Sequence, residues 1–99
     1  MEAIKRDELR AREAELKVFD IRKAPDERKI PGSIRAEGDA LEAGDDLPFG
    51  KDEEIVLYCG SGNSCSRIAK TLCDRGYRTV ALEGGYKGWV EAGHPTEER

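Results

Sequence analysis

Short runs of apolar residues alternate along the chain with segments whose apolar residues recur every three or four positions. The run EIVLY at residues 54–58 has apolar side chains at consecutive positions, which is typical of a strand covered on both faces. Four further strands are predicted, at residues 2–4, 17–21, 78–82 and around Ile34. Helical segments or turns separate these strands, so the pattern predicts an α/β domain.

The clearest helical segment follows the EIVLY strand. Polar side chains take one face of it, and Gly76 stands where such a helix would end. The apolar face, at helical spacing, is formed by Cys65, Ile68, Ala69, Leu72 and Cys73.

Three shorter helical segments are predicted elsewhere. The first leads from the first strand to about Leu16, with Leu9 seven positions earlier on the same face. A brief second helix has Asp39 as its candidate N-cap and Glu42 three residues later, and a third follows the glycine pair at 84–85. Residues 22–29 are expected to form a turn with at most one helical turn, which would start at Pro25.

Strands separated by helices predict a parallel sheet flanked by helices on both faces, in a single domain that covers residues 1–99. In such a sheet, ligands bind beyond the carboxyl ends of the strands. Cys59 directly follows the most apolar strand. The topology therefore predicts that Cys59 lies where a ligand would bind.

Charge and hydropathy limit the classes of partner. The 99 residues suit one domain, and 17 Lys and Arg against 21 Asp and Glu give a net charge of −4 with both signs interspersed. This balance argues against a nucleic-acid surface, which needs clustered positive charge. No apolar stretch reaches the roughly 20 residues of a membrane span. Because no apolar stripe marks an interface, we expect a monomer without membrane contact.

The cysteines and the N-terminal segment indicate the cellular compartment. Three cysteines at spacings of six and eight do not suggest a disulfide framework. The segment MEAIKRDELRAREAELK lacks an apolar stretch long enough for a secretory signal. We therefore expect the protein to reside in the reducing cytoplasm.

The segment CGSGNSC at residues 59–65 contains the candidate chemistry. Gly60 and Gly62 have no Cβ, so this arc can take left-handed backbone angles and curl tightly between strand and helix. Backbone N–H groups would then point inward and form an anion-binding nest, which the first turn of the helix extends. Such a nest lowers the pKa of Cys59 below the free value of about 8.5 and makes it a nucleophile. The predicted loop consists of Gly60, Ser61, Gly62, Asn63, Ser64 and Cys65, with hydroxyl donors on both serines.

Other glycine-rich loops fit this segment less well. The Lys-Ser/Thr pair of a nucleotide-binding P-loop is missing, and so is the third glycine of the dinucleotide fingerprint. Cysteine-based phosphatases need an arginine six positions after the cysteine to bind phosphate in a bidentate way. That position is Cys65 here, and Arg67 comes two residues later. Phosphatase chemistry is therefore not expected.

Three segments together resemble the single-domain rhodanese family of thiosulfate sulfurtransferase-like proteins. They are VFDIR followed by IPGSI at residues 18–34, IVLYCGSGNSCSRIAKTLCDRGY at 55–77, and LEGGYKGW with AGHP at 82–95. The resemblance implies a rhodanese-like three-layer fold with a five-stranded parallel sheet between helices. It also implies a transferase in which the thiolate of Cys59 takes the sulfane sulfur of thiosulfate or a related donor. A thiol or cyanide then accepts that sulfur from the Cys59 persulfide, and no metal or organic cofactor is needed.

The loop departs from the family pattern in its charge. Many relatives carry a basic residue directly after the cysteine and an Arg-Ser pair at the end of the loop, where this chain has Gly60, Ser64 and Cys65. Thiosulfate must therefore bind to backbone donors, with Arg67, Lys87 or Arg22 as candidate charges. Weaker thiosulfate binding keeps a second hypothesis open, a sulfur-carrying or regulatory binding module with little turnover.

Several other residues have two interpretations each. Cys65 could attack a Cys59 persulfide or form a disulfide with Cys59 as a redox switch. Alternatively, it replaces a small serine on the packed side of the helix. Asp20 and Arg22, which match family positions near the loop, form either a brace for the loop or a surface pair. Cys73 is expected in the core, and His94 is expected at the surface rather than in a metal site.

Overall fold

The computed structural model describes residues 3–24, 27–44 and 47–98. Seven strands and four helices are assigned within these residues. In chain order they are β1 (Ala3–Ile4), α1 (Arg6–Arg12), β2 (Lys17–Asp20), β3 (Arg28–Lys29), β4 (Ile34–Arg35), α2 (Gly38–Ala43), β5 (Glu54–Tyr58), α3 (Asn63–Asp74), β6 (Arg78–Leu82), α4 (Gly85–Glu91) and β7 (Glu97–Glu98).

The predicted sheet is confirmed. Five strands lie in the order β1-β6-β5-β2-β4, and every neighbouring pair is parallel. β5 is the central strand, so its backbone is paired on both sides and its apolar side chains are covered on both faces. This explains why its sequence lacks the polar–apolar alternation of a half-exposed strand.

Two apolar clusters cover the two faces of the sheet. Successive side chains of β5 point to opposite faces, so Leu57 and Cys59 join one cluster and Val56 and Tyr58 join the other. The first cluster includes residues of α2 and α3, and the second includes Leu9 of α1 and Trp89 of α4. The sulfur of Cys59 therefore faces the side of the sheet on which α3 packs.

Three expectations about the first half of the chain need correction. The first helix ends at Arg12, not near Leu16, because residues 13–16 must turn the chain back into β2 at Lys17. The brief helix begins at Gly38 after Glu37, so Asp39 lies inside its first turn and is not the N-cap. Pro25, and the start of the first strand at residue 2, lie outside the described residues.

A small antiparallel ribbon was not predicted. It pairs β3 with β7, with Arg28 opposite Glu98 and Lys29 opposite Glu97. Two-residue strands of charged residues have no periodicity to detect, and opposite charges across the pair favour their contact. None of the helices in the described segments is long and apolar enough to cross a membrane.

Candidate functional site

The arc between β5 and α3 is short. β5 ends at Tyr58 and α3 begins at Asn63, which leaves residues 59–62 to make the turn. Gly62 has a φ of 100°, in the left-handed region that favours glycine. Gly60 is not among the glycines with positive φ, so only one of the two predicted glycine positions needs that freedom.

The N-terminus of α4 holds this arc from outside. The backbone N–H of Tyr86 donates to the carbonyl of Cys59 at 2.8 Å, and that of Lys87 donates to the carbonyl of Gly60 at 3.0 Å. A Cβ on Gly85 would lie 2.7 Å from the carbonyl oxygen of Cys59 and from the nitrogen of Gly62. Gly85 also has a positive φ of 63°. Only glycine, which lacks a Cβ and tolerates this backbone angle, lets the start of α4 lie so close to the arc.

The contact between the start of α4 and the arc was not predicted from the sequence, although the glycine pair at 84–85 could have indicated it. Two adjacent glycines at a helix start indicate a close approach of backbone to backbone. The carbonyl groups of Cys59 and Gly60 accept hydrogen bonds from the amides of α4. These bonds hold the path of the arc in which the N–H of Gly62 faces the sulfur of Cys59.

The sulfur of Cys59 accepts two backbone hydrogen bonds. The N–H of Gly62 donates to Sγ at 3.2 Å and the N–H of Cys65 at 3.4 Å. The Cys59 side chain is 6% exposed, so the sulfur is close to the surface but largely screened from water. The predicted inward-facing nest is therefore present, built from fewer amides than the full run of residues 60–65.

These donors shift the equilibrium of Cys59 toward the thiolate. A hydrogen bond from the Cys65 thiol is the largest contribution, and the backbone N–H groups of Cys65, Gly62 and Ser64 add to it. Together they outweigh the desolvation of the sulfur and lower the pKa of Cys59 to about 5. At neutral pH the site thus holds a thiolate at Cys59.

The neighbouring cysteine behaves in the opposite way. Its hydrogen bond to Cys59, its burial and the negative charge of Cys59 all raise the pKa of Cys65, so it stays a thiol. Its Sγ also lies 3.4 Å from the carbonyl oxygen of Gly62. Rotation about the Cβ–Sγ bond lets the single S–H proton point to either acceptor.

A cleft of about 380 Å³ opens over the sulfur. Its charged lining is mixed, because Lys23 and Arg67 face the same space as Glu37 and Asp39. The remaining lining residues are Ile21, Gly38, Cys59, Gly60, Ser61, Ser64 and Ile68. Both predicted hydroxyl donors therefore line the cleft, whereas Asn63 does not.

The candidate positive charges fall in different places. Arg67 lines the cleft as expected, but its guanidinium is also paired with the carboxylate of Glu42. Lys87 contributes a backbone N–H to the arc. The charged groups Lys23, Glu37 and Asp39 were missed, although each follows the carboxyl end of a strand of the sheet, where ligands are expected.

Asp20 and Arg22 form a buried ion pair, with Nη2 and Oδ2 2.7 Å apart. Burial acts to raise the pKa of Asp20, but the hydrogen bonds and charge of Arg22 outweigh it and hold that pKa below its ordinary value. The guanidinium of Arg22 lies 4.1 Å from the ring centre of Tyr86, whose N–H holds Cys59. The pair is therefore buried, not a surface pair, and is connected to α4 through Tyr86; Arg22 does not line the cleft.

The other two singled-out residues lie away from the sulfur. Cys73 is half-buried, not fully in the core, and its thiol donates to the carbonyl of Thr79 at 2.8 Å. His94 pairs with Asp7 at 2.9 Å and packs on Trp89. Within the described ranges no three His, Cys, Asp or Glu side chains converge on a point that could hold a metal.

Comparison with known proteins agrees with this geometry. The family model of the rhodanese-like domain matches residues 5–92. A crystal structure of a rhodanese-related protein from Thermoplasma volcanium superposes with a TM-score of 0.85, covers 98% of both chains and is 24% identical. At that identity the superposition supports the fold alone.

Two curated proteins match part of the chain. One is "Protein HIGH ARSENIC CONTENT 1, mitochondrial" of Arabidopsis thaliana, 43% identical over 44 residues. The other is "Putative sulfurtransferase YtwF" of Bacillus subtilis, 41% identical over 39 residues. The matches span 43% and 39% of this chain, but only 26% and 38% of those proteins.

Proposed function

This chain belongs to the rhodanese-like domain family, and from that premise we propose that it is a single-domain sulfurtransferase acting through a persulfide on Cys59. The observation that carries the proposal is the thiolate of Cys59, which accepts N–H donors from Gly62 and Cys65 at the floor of an open cleft. A nucleophile needs a lowered pKa and access to substrate, and this sulfur has both.

In the first step the thiolate of Cys59 attacks the outer, sulfane sulfur of thiosulfate or a related donor. The donor S–S bond breaks and sulfite leaves with its electron pair. A new S–S bond joins Cys59 to the transferred sulfur. The charge moves from Sγ to this outer sulfur, which extends into the cleft where Ser61 and Ser64 supply hydroxyl groups.

In the second step a thiophilic acceptor, a thiol or cyanide, attacks the outer sulfur. The bond between the two sulfur atoms of the persulfide breaks, and its electron pair returns to Sγ of Cys59. The N–H groups of Gly62 and Cys65 stabilise this returning thiolate as they do in the resting site. The cycle uses only the chain's own groups, so it requires neither a metal nor an organic cofactor.

The cleft disfavours tight binding of a dianion. Glu37 and Asp39 offset the positive charges of Lys23 and Arg67 around the sulfur. We therefore propose that thiosulfate binds weakly and that the cellular donor differs from it. The mixed charge also supports the second candidate function, a sulfur-carrying or regulatory module with low turnover on thiosulfate.

The three thiols support a proposal about the cellular compartment. Cys59, Cys65 and Cys73 are all unbridged, and a catalytic thiolate needs to stay reduced. We accordingly place the reaction in a reducing compartment such as the cytoplasm, with a monomer as the working unit.

Intact-mass spectrometry after incubation with thiosulfate tests the proposal. An added mass of about 32 Da, one sulfur atom, is expected early in the incubation on the wild type and on the control Cys73→Ser, whose thiol lies outside the cleft. The adduct should be absent from Cys59→Ser, and cyanide should release thiocyanate from the loaded protein. If the adduct is absent at every thiosulfate concentration and every time, and no sulfide is released, only the binding module remains for the folded protein.

A further inference from the structure

Cys65 is fully buried in the first turn of α3, beside the nucleophile. Its N–H donates to Sγ of Cys59 at 3.4 Å, and its own Sγ lies 3.4 Å from the carbonyl oxygen of Gly62. The N–H of Gly62 in turn donates to Sγ of Cys59 at 3.2 Å. Both sulfur atoms therefore contact the backbone of Gly62: that of Cys59 accepts from its N–H, and that of Cys65 lies beside its carbonyl oxygen.

The thiol of Cys65 also interacts with the sulfur of Cys59 and helps to lower the pKa of that sulfur. A serine in this position could donate a hydrogen bond equally well. A thiol has one further capacity, because its sulfur can form a covalent bond with a neighbouring sulfur. Cys73 lacks this opportunity, since its thiol is bonded to Thr79 near the other end of the helix.

We propose that Cys65 is a second catalytic residue, which resolves the Cys59 persulfide and releases its outer sulfur as hydrosulfide. The inference rests on the proposed function, since it needs a persulfide on Cys59. It adds a route that operates when no acceptor enters the cleft.

The step is balanced. The S–H proton of Cys65 passes to the negatively charged outer sulfur, and the resulting thiolate attacks Sγ of Cys59. The bond between Sγ and the outer sulfur breaks, hydrosulfide leaves with the electron pair, and a disulfide joins Cys59 to Cys65. One negative charge is present before and after, now on the hydrosulfide.

The disulfide must be reduced before another turnover. An external dithiol supplies two electrons and two protons by thiol–disulfide exchange and itself becomes a disulfide. Its first thiolate attacks one sulfur of the pair, and its second thiolate releases the mixed disulfide. Cys59 and Cys65 then return to the thiolate and the thiol of the resting site.

The experiment uses the full chain, reduced, freed of reductant and kept without oxygen. Wild type, Cys65→Ser and Cys73→Ser are each incubated with thiosulfate but no acceptor. The serine keeps a hydrogen-bond donor next to Cys59 and removes only the capacity to form the disulfide. Intact mass and released sulfide are followed over time, with a thiosulfate-free sample of each protein alongside.

The expected results differ sharply among the variants. Wild type and Cys73→Ser should end about 2 Da lighter than the reduced chain and release about one sulfide per protein. Cys65→Ser should keep an added mass of about 32 Da and release no sulfide. A dithiol should restore the reduced mass of the wild type.

Three results would overturn the inference. If the wild type keeps its added sulfur as long as Cys65→Ser does, Cys65 does not resolve the persulfide, yet sulfur transfer by Cys59 stands. If the mass loss occurs equally without thiosulfate, the disulfide arises by direct oxidation. If neither protein gains sulfur, the proposed function fails and the inference fails with it. If Cys65→Ser does not fold, the same experiment is carried out with Cys65→Ala.

Discussion

Replacing the Cys65 thiol should raise the pKa of Cys59 by a measurable amount. This thiol makes the largest single contribution to the lowered pKa of about 5. In Cys65→Ala that donor is gone, whereas the backbone N–H groups of residues 62, 64 and 65 remain. In Cys65→Ser a hydroxyl donor takes the place of the thiol, so this variant is the matched control.

The size of the effect follows from the strength of the bond. A hydrogen bond to a charged group contributes about 1.5–3 kcal/mol, and a thiol is a weak donor. The lower value, about 1.5 kcal/mol, corresponds to a pKa change of about one. We therefore expect Cys59 to titrate near pH 6 in Cys65→Ala, still well below the roughly 8.5 of a free cysteine.

The assay is the rate of alkylation of Cys59 by iodoacetamide as a function of pH, read by peptide mapping. A comparison at pH 7 would miss the effect, because about 99% of the wild-type sulfur and about 90% of the variant sulfur are thiolate there. At pH 5 the expected fractions are about 50% and about 10%. In Cys65→Ser the alkylation rate of Cys59 should have the same pH midpoint as in the wild type.

Two results would refute the reasoning. A wild-type midpoint near pH 8.5 would show that the N–H groups do not stabilise the thiolate. Equal midpoints for the wild type and Cys65→Ala would show that the thiol of residue 65 donates no hydrogen bond to Cys59.

Three further predictions concern the supports of the site. Gly85→Ala should lower the free energy of unfolding in urea by about 1–3 kcal/mol more than Gly93→Ala, and only Gly85→Ala should raise the alkylation midpoint. Both glycines have positive φ, but a Cβ meets nothing within 4 Å at Gly93. Asp20→Asn should destabilise the fold by about 3–5 kcal/mol, since it removes the charge of the buried carboxylate that pairs with the guanidinium of Arg22; a loss below about 1 kcal/mol in urea would contradict a supporting role for this pair. The pKa of Cys59 is lower in the folded than in the unfolded chain, so its stabilising contribution is present above about pH 8.5 and is lost as the pH falls toward 5. The free energy of unfolding of the wild type should therefore rise relative to Cys59→Ser as the pH is raised from about 5 to about 8.5, and a constant difference would contradict the lowered pKa.

Prediction from the sequence succeeded where the signal was local. The consecutive apolar residues of β5, the glycine at Gly62 and the helical spacing behind it lie within 25 residues. Together they placed Cys59 at the carboxyl end of a central strand, and the structure confirms that placement. The two-residue strands β3 and β7 were not predicted, because two charged residues show no alternation of apolar and polar positions.

Prediction failed where a contact joins distant segments. The sequence could suggest that Asp20 and Arg22 pair near the loop, but not that the guanidinium of Arg22 would lie over the ring of Tyr86. Likewise Arg67 could be assigned to the site, but its pairing with Glu42 of α2 depends on how two helices pack.

The amino-acid sequence by itself determined the strand, the arc, the helix and the position of the nucleophile, because short-range periodicity and glycine geometry act within one segment. Only the tertiary structure decided which N–H groups face the sulfur, since the amides of α4 hold the carbonyl groups of Cys59 and Gly60 and with them the path of the arc. It also decided the charge around the sulfur, because Lys23, Glu37 and Arg67 come from three separate segments. Electrostatic interactions and hydrogen bonds depend on the distance between groups in space and not on their separation along the chain.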